Sequence, residues 1–384
     1  MELRSLAGES RLCLNMIVRN EAPNIERCLA AVSAVISAWV ICDTGSSDDT
    51  PAIVERFFRG RDVPGELHRF TFFNFEQSRN EALDRARASP LGFDYLLLAD
   101  ADMELVVEDP GFRSNLSAEC YAVRQQNQIS YFNTRLLRRD SVARYKGVTH
   151  EFLDTAGQPP RLEGIWFIDH ASGTNRAGKF DRDAKLLQEA LKSDPTNARY
   201  VFYLAQSLRD AGRVADARDA YLRRSAMTGW DEETWYSMLQ VAQLDERLGE
   251  SPSKIEGAYL AAYVARPTRA EPLLELARWH RQRKEWALAL LYARVAAAME
   301  KPADRLFLDD ACYSWRPWDE IAIAAWYVGA RNEGRRAAER LRAERCFPPS
   351  EQPVPALPIL RRGISSARVT SIATANSISS GATS

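Results

Sequence analysis

The chain has 384 residues, which exceeds one ordinary core and predicts two domains with additional segments. It carries 51 Lys and Arg against 52 Asp and Glu, so its net charge of -1 provides no general attraction to nucleic acid or an anionic membrane. The hydrophobic fraction of 46% is typical of a soluble globular protein, and neither a signal peptide nor a transmembrane segment is expected. Six cysteines without a CxxC pair favour reduced thiols and a cytoplasmic location.

The N-terminal half alternates short apolar runs with amphipathic segments. Strands are expected at Leu12–Val18 and at residues 39–42, with a helix between them that continues to about residue 36. A helix at Thr50–Phe58 follows, with a proline near its start. This order predicts an α/β fold with a mixed, mostly parallel sheet. Further strands are expected at residues 66–72, 120–125 and 131–138, with a helix at residues 74–88, and residues 145–153 and 164–168 complete this half of the chain.

Two carboxylates follow the strand expected at residues 95–98. This strand is a short apolar run, and Asp100 and Asp102 come directly after it. Because ligands of open α/β sheets bind at the carboxyl ends of strands, both side chains are expected in one crevice. Carboxylates there suit Mn²⁺ or Mg²⁺ holding a diphosphate. The structural alternative is a solvated acidic turn.

The chain after Lys179 has a helical pattern with weak internal repetition. Residues 199–225 resemble a tetratricopeptide-type (TPR) hairpin, and a second copy begins near Leu276, 72 residues beyond the matching Leu204. This separation is about two periods of a 34-residue repeat. A degenerate middle copy is expected at residues 235–263 and a closing hairpin at residues 319–345. An unrelated helical bundle is the alternative.

Four motifs occur in a fixed order, namely MIVRNE, CDTGSSDDT, SRNEA and LLLADAD. Their order and spacing resemble family 2 glycosyltransferases of the GT-A fold. VTHEFL and a late histidine, followed by repeats, resemble the bacterial subgroup that includes lipopolysaccharide-core glucosyltransferases and peptide S- or O-glycosyltransferases. The resemblance implies a GT-A nucleotide-diphospho-sugar transferase domain at residues 1–178 and an all-α TPR-like repeat domain at residues 179–346. A disordered tail is expected at residues 347–384 from its composition.

The resemblance also implies roles for individual side chains. It assigns donor binding to residues at the strand ends and on the preceding helix: Asn20, Glu21, Asp43, Arg79, Asn80 and Asp100. It assigns metal binding to three residues: Asp100, Asp102 and His170. Structural alternatives remain open, since Asn20 or Asp43 can cap a helix, Arg79 can pair with an acid, and His170 can be an ordinary histidine.

The resemblance implies an inverting reaction in which a sugar leaves a nucleoside diphosphate for a hydroxyl or thiol acceptor. Such a reaction needs a general base within hydrogen-bond reach of the acceptor. Glu151 is the expected base, with His150 positioning or substituting for it. The structural alternative is an ion pair between Glu151 and an arginine.

The partners that the resemblance implies are a nucleotide-sugar donor, a UDP-hexose such as UDP-glucose, and a glycan, peptide or protein acceptor held by the repeat domain. The rival hypothesis is a non-catalytic TPR-like binding scaffold with an inactive nucleotide-sugar domain. A sugar-phosphate nucleotidyltransferase is disfavoured, because the first strand is followed by Arg19-Asn20-Glu21 rather than by a glycine-rich basic loop.

Overall fold

The structure is a computed structural model, and it describes residues 9–127, 130–170, 172, 178–304 and 306–344. The chain divides into two compact units, Met1–Ala258 and Tyr259–Ser384. The first unit continues well beyond residue 178, so the boundary between a catalytic and a repeat domain at that position stays a prediction. The tail expected at residues 347–384 lies outside the described residues. Among the described helices, none has the length and apolar character needed to cross a membrane.

The first unit contains a mixed eight-stranded sheet, as predicted. Its strands are β1 (Leu12–Val18), β2 (Ile36–Asp43), β3 (Gly65–Arg69), β4 (Tyr95–Leu98), β5 (Met103–Val107), β6 (Cys120–Gln126), β7 (Ser130–Arg138) and β10 (Arg161–Asp169). A separate two-stranded ladder consists of β8 (Arg144–Lys146) and β9 (Phe152–Asp154). The helices that cover the sheet are α1 (Ile25–Val32), α2 (Thr50–Phe58) and α3 (Phe75–Ala88).

Strand order brings the predicted polar residues to one edge of the sheet. The order is β3-β2-β1-β4-β7-β6-β10-β5, and the first four strands are mutually parallel. Alternate residues of β1 enter opposite cores: Leu14 packs with the α1 and α2 side, and Cys13 packs with the α3 side. Because β1, β2 and β4 run parallel, the residues that follow them share the carboxyl edge of the sheet.

One expected element differs from the observed one. The first helix ends at Val32 rather than near residue 36, because Ile36 already pairs with Leu12 as the first residue of β2. Residues 145–153, which the sequence places at the end of this half, contain most of two short strands, β8 and β9. The loop between them contains Gly147 and His150, both with positive φ, which interrupts an extended strand.

Helices predominate in the rest of the described chain. They are α4 (Lys179–Ser193), α5 (Ala198–Asp210), α6 (Val214–Ser225), α7 (Asp231–Arg247), α8 (Pro252–Ala265), α9 (Glu271–Gln282), α10 (Trp286–Ala297), α11 (Arg316–Tyr327) and α12 (Arg331–Glu344). The two predicted repeat copies correspond to α5–α6 and α9–α10. Ala217 and Ala289, at matching positions, are both fully buried and allow close helix packing. The boundary between the two units lies within α8.

A buried asparagine ties α3 to the sheet. The Asn15 side-chain amide donates to the Val40 carbonyl of β2 at 3.1 Å and to the Ala82 carbonyl of α3 at 3.0 Å.

We expect Asn15→Leu to lower the free energy of unfolding by about 1–3 kcal/mol, because the buried carbonyls of Val40 and Ala82 lose their hydrogen-bond donor. Urea denaturation monitored by tryptophan fluorescence measures the change. Asn115→Leu, at an exposed position, is the control, and equal midpoints for the two variants would contradict the prediction.

Candidate functional site

A pocket of about 370 Å³ lies in the first unit beside the carboxyl edge of the sheet. It brings together four of the predicted site residues, which come from distant parts of the sequence. The lining residues are Phe75, Arg79, Asp100, Asn133, Thr134, Arg135, Tyr145, Thr149, His150, Glu151, Phe152, Leu153, Lys179, Arg182 and Asp183.

Arg79 on α3 connects the two halves of this pocket. Its Nη2 atom donates to Asp100 Oδ1 at 2.7 Å, and its Nε atom donates to Glu151 Oε1 at 2.7 Å. The Arg79 and Glu151 side chains are each 14% exposed, so solvent screens the pair only weakly. One guanidinium therefore links the predicted donor-binding Asp100 with the predicted base Glu151.

Asp100 has a second cationic partner. Arg135 Nη2 on β7 lies 3.1 Å from Asp100 Oδ2, and the same nitrogen donates to Gln125 Oε1 at 3.2 Å. Burial alone raises the pKa of Asp100, but the charges of Arg79 and Arg135 outweigh burial and hold that pKa well below its usual range. Asp100 is therefore a carboxylate at neutral pH, and it orders the two arginines.

Asn80 fixes the position of the β8–β9 hairpin. Its amide nitrogen donates to the Tyr145 carbonyl at 2.9 Å, and its amide oxygen accepts from the Tyr145 backbone nitrogen at 2.9 Å. Glu76, one turn earlier on α3, accepts from the Gly147 backbone nitrogen at 2.7 Å. Asn80 therefore holds the hairpin against α3, and donor binding by Asn80 stays a prediction.

The hairpin turn presents His150 and Glu151 to the pocket. His150 has a φ of 51°, and its ring stacks on Tyr203 of α5 with a centroid distance of 4.1 Å. Although part of the His150 side chain faces solvent, burial of the ring lowers its pKa. The imidazole is consequently neutral at neutral pH and can accept a proton.

The loops after β1 and β2 hold one another through polar contacts. Asn20, with a φ of 54°, accepts through Oδ1 from the Ser47 backbone nitrogen at 2.7 Å. Asp43 accepts from the Ser46 backbone nitrogen at 3.1 Å, and Glu21 accepts from the Asn24 side chain at 2.9 Å. These contacts are those of ordered loops, so donor binding by Asn20, Glu21 and Asp43 stays a prediction. None of the three lines the pocket described above.

Asp102 and His170 are neighbours where β10 ends beside the start of β5. The His170 backbone nitrogen donates to the Asp102 carbonyl at 3.3 Å, and His170 Nε2 lies 2.9 Å from Glu104 Oε2. Within the described ranges, no cluster of three or more His, Cys, Asp or Glu side chains is arranged to hold a metal ion. The ligand set Asp100, Asp102 and His170 therefore stays a prediction.

Residues of α4 form a wall of the pocket that the sequence analysis missed. Lys179, Arg182 and Asp183 all line the cavity, and Asp183 is only 1% exposed. Arg182 also lies over the Phe75 ring, 5.2 Å from its centroid. The sequence indicates this wall only through the spacing of these three charged residues at i, i+3 and i+4, which places them on one helix face.

Comparisons with known proteins support the family predicted from the motifs. Residues 13–109 match the family model of Glycosyl transferase family 2, which confirms the predicted family over that segment. The chain is 34% identical over 157 residues to the TPR repeat-containing protein Synpcc7942_0270 of Synechococcus elongatus, covering 38% of this chain and 36% of that protein. It is 22% identical over 229 residues to the SPbeta prophage-derived glycosyltransferase SunS of Bacillus subtilis, covering 55% of this chain and 52% of that protein.

The chain thus spans between about a third and a half of the length of these curated relatives. Among solved structures, the crystal structure of MamA matches 47% of this chain and 98% of its own, with 15% identity and a TM-score of 0.36. The helical hairpins described above and the relative with TPR repeats confirm the predicted repeat character of the C-terminal part.

We expect Asp100→Asn to destabilise the first unit by roughly 1.5–3 kcal/mol, because charge-assisted hydrogen bonds to Arg79 and Arg135 become neutral ones. The measurement is the urea midpoint at pH 7. Asp140→Asn makes the same chemical change in an exposed pair and should shift the midpoint little. A loss for Asp100→Asn no larger than that of Asp140→Asn would show that the buried network contributes nothing to stability.

Proposed function

We propose that this chain, in which residues 13–109 are a glycosyl transferase family 2 domain, transfers a sugar from a nucleoside diphosphate to an acceptor hydroxyl or thiol. The observation that carries the proposal is the bridge from Asp100 through Arg79 to Glu151. It joins a residue at the carboxyl end of β4, where nucleotides bind in such sheets, to a candidate base lining the same pocket. A UDP-hexose, for example UDP-glucose, is the proposed donor.

We assign donor binding to the carboxyl edge of the sheet. Asn20, Glu21 and Asp43 would contact the nucleoside, Arg79 would contact the sugar diphosphate, and Asp100 would face the ribose or the metal ion. Arg79 and Arg135 are already ordered by Asp100, so they lose little side-chain freedom when a ligand binds. Asn80 supports this arrangement indirectly, since its amide holds the hairpin that carries Glu151.

The residues present fit a divalent cation that is held jointly with a diphosphate. Mg²⁺ usually takes one or two carboxylates, with water and substrate phosphates completing its shell, so a large protein cluster is not required. Asp102 is the proposed carboxylate ligand, and the ion, either Mn²⁺ or Mg²⁺, would offset negative charge on the leaving diphosphate. His170 is a candidate additional ligand that would have to leave Glu104.

The acceptor would enter on the side of the pocket formed by α4 and the hairpin. Glu151 is the proposed base, because its carboxylate lines the pocket and is held at 2.7 Å by Arg79 Nε. Neutral His150 is the second candidate for the same proton. Arg182, oriented by its ion pair with Asp183, offers a planar polar group to acceptor hydroxyls, and Phe152, 44% exposed, offers an apolar face. This lining favours a hydroxylated acceptor and an inverting displacement with one base.

The rival function is a binding scaffold, in which the repeats bind a partner and the sugar-nucleotide domain is catalytically inactive. A scaffold has no chemical need for an ordered carboxylate–arginine–carboxylate bridge lining a cavity. We therefore favour an enzyme that acts on a glycan, peptide or protein acceptor. We also propose a cytoplasmic location.

Titration calorimetry with UDP and GDP tests the donor site. We expect UDP to bind in the presence of Mn²⁺ or Mg²⁺, and Asp102→Ala to weaken binding by about tenfold or more, equivalent to at least 1.4 kcal/mol. Asp62→Ala removes an exposed carboxylate on another loop and should bind UDP as the wild type does. Absence of binding by either nucleotide with either metal would reject the transferase and favour the scaffold.

The rate of UDP release tests whether Glu151 is the general base. Release of UDP from UDP-glucose, with water as the acceptor, should fall by about 10²–10⁴-fold in Glu151→Gln, because glutamine accepts no proton. The glutamine oxygen still accepts the Arg79 hydrogen bond, so UDP affinity should stay within about threefold of wild type. A larger loss in His150→Gln than in Glu151→Gln would transfer the role of base to His150.

A further inference from the structure

Both neighbours of Glu151 are in contact with one face of α5. The His150 ring lies parallel to the Tyr203 ring, with 4.1 Å between centroids and 9° between planes. The Arg199 guanidinium carbon lies 4.8 Å from the centroid of Tyr203 and 5.1 Å from that of Phe152. Arg199 and Tyr203 are four residues apart, so they lie on the same helix face. We call these four side chains, His150, Tyr203, Arg199 and Phe152, the α5 stack.

The hairpin turn needs such support. His150 has a φ of 51°, a left-handed conformation that is unfavourable for a residue with a side chain. Residues persist in such conformations only where the surrounding structure holds them, and they are concentrated at functional sites. The hydrogen bonds from α3 hold the turn at Tyr145 and Gly147, ahead of His150. The α5 stack holds it from the other side, at His150 and Phe152.

The stack also controls the surroundings of the imidazole. Burial lowers the pKa of His150; Lys179 of α4 and Arg199 of α5 act in the same direction, whereas Asp183 of α4 and Glu151 of the hairpin oppose it. Loss of the Tyr203 ring would return water to one face of the imidazole. The pKa of His150 would then rise toward its ordinary value of about 6.5.

We propose that Tyr203 is a positioning residue for the catalytic turn, and that α5 is thereby a structural component of the active site. Tyr203 stacks on His150 and, with Arg199 and Phe152, keeps Glu151 in reach of Arg79. The consequence for turnover rests on the function proposed above, whereas the positioning of His150 does not. Without the stack, Glu151 would sample orientations in which its carboxylate points away from the acceptor.

NMR of the full chain, labelled at histidine, tests the positioning without any substrate. The sequence contains four histidines, so His150→Gln identifies the His150 signal by its disappearance. Tyr203→Phe retains an aromatic ring and should leave the chemical shift and titration midpoint of His150 unchanged. Tyr203→Leu should remove the ring-current shift and raise the midpoint. Identical His150 signals in wild type and Tyr203→Leu would overturn the proposal.

Enzyme kinetics tests whether the positioning role of Tyr203 affects turnover. UDP release from UDP-glucose should fall roughly 10–100-fold in kcat for Tyr203→Leu, with UDP affinity retained and Tyr203→Phe close to wild type. If Tyr203→Leu does not fold, as judged by circular dichroism, Arg199→Met removes the cation between the two rings and should move the His150 signal in the same direction. An unmoved signal in that variant overturns the proposal. If the His150 signals change but the wild-type protein releases no UDP, the proposed transferase function is rejected, whereas the positioning role of Tyr203 is retained.

Discussion

The ion-paired bridge of Arg79 is the interaction on which the candidate site depends. Arg79 is separated from Asp100 by 21 residues and from Glu151 by 72 residues, yet it donates to both at 2.7 Å. A single positive charge cannot neutralise two carboxylates, so the second arginine, Arg135, is needed to balance the pocket. The bridge requires α3 to be held accurately over the sheet, which Asn15 does from beneath.

Two different parts of the chain supply the two sides of the site. The segment that matches glycosyl transferase family 2 ends at residue 109, after the residues proposed to bind the donor. Glu151 and His150 come later, on a hairpin outside the sheet. That hairpin is held by α3 on one side and by α5 on the other. The helices α4 and α5 therefore serve the pocket itself, in addition to any role in binding an acceptor surface.

The order of elements was predictable because apolar periodicity and strand-end motifs are local signals. The strands β1, β4, β6 and β7 and the repeat hairpins lie close to where the sequence places them. The error arose where non-local pairing competes with local propensity. Ile36 joins β2 because Leu12 pairs with it, although the helical spacing of apolar residues continues to that position.

By itself the sequence determined the fold class, the family of residues 13–109, and the candidates Asp100, Asp102, His150 and Glu151, because each depends on residue types in a short motif. Tertiary structure decided which candidates meet. It joined Asp100 and Glu151 through Arg79, assigned Asn80 to the backbone of Tyr145, and placed Tyr203 on His150. Such contacts depend on distances between side chains far apart in the chain, and no local pattern contains that information.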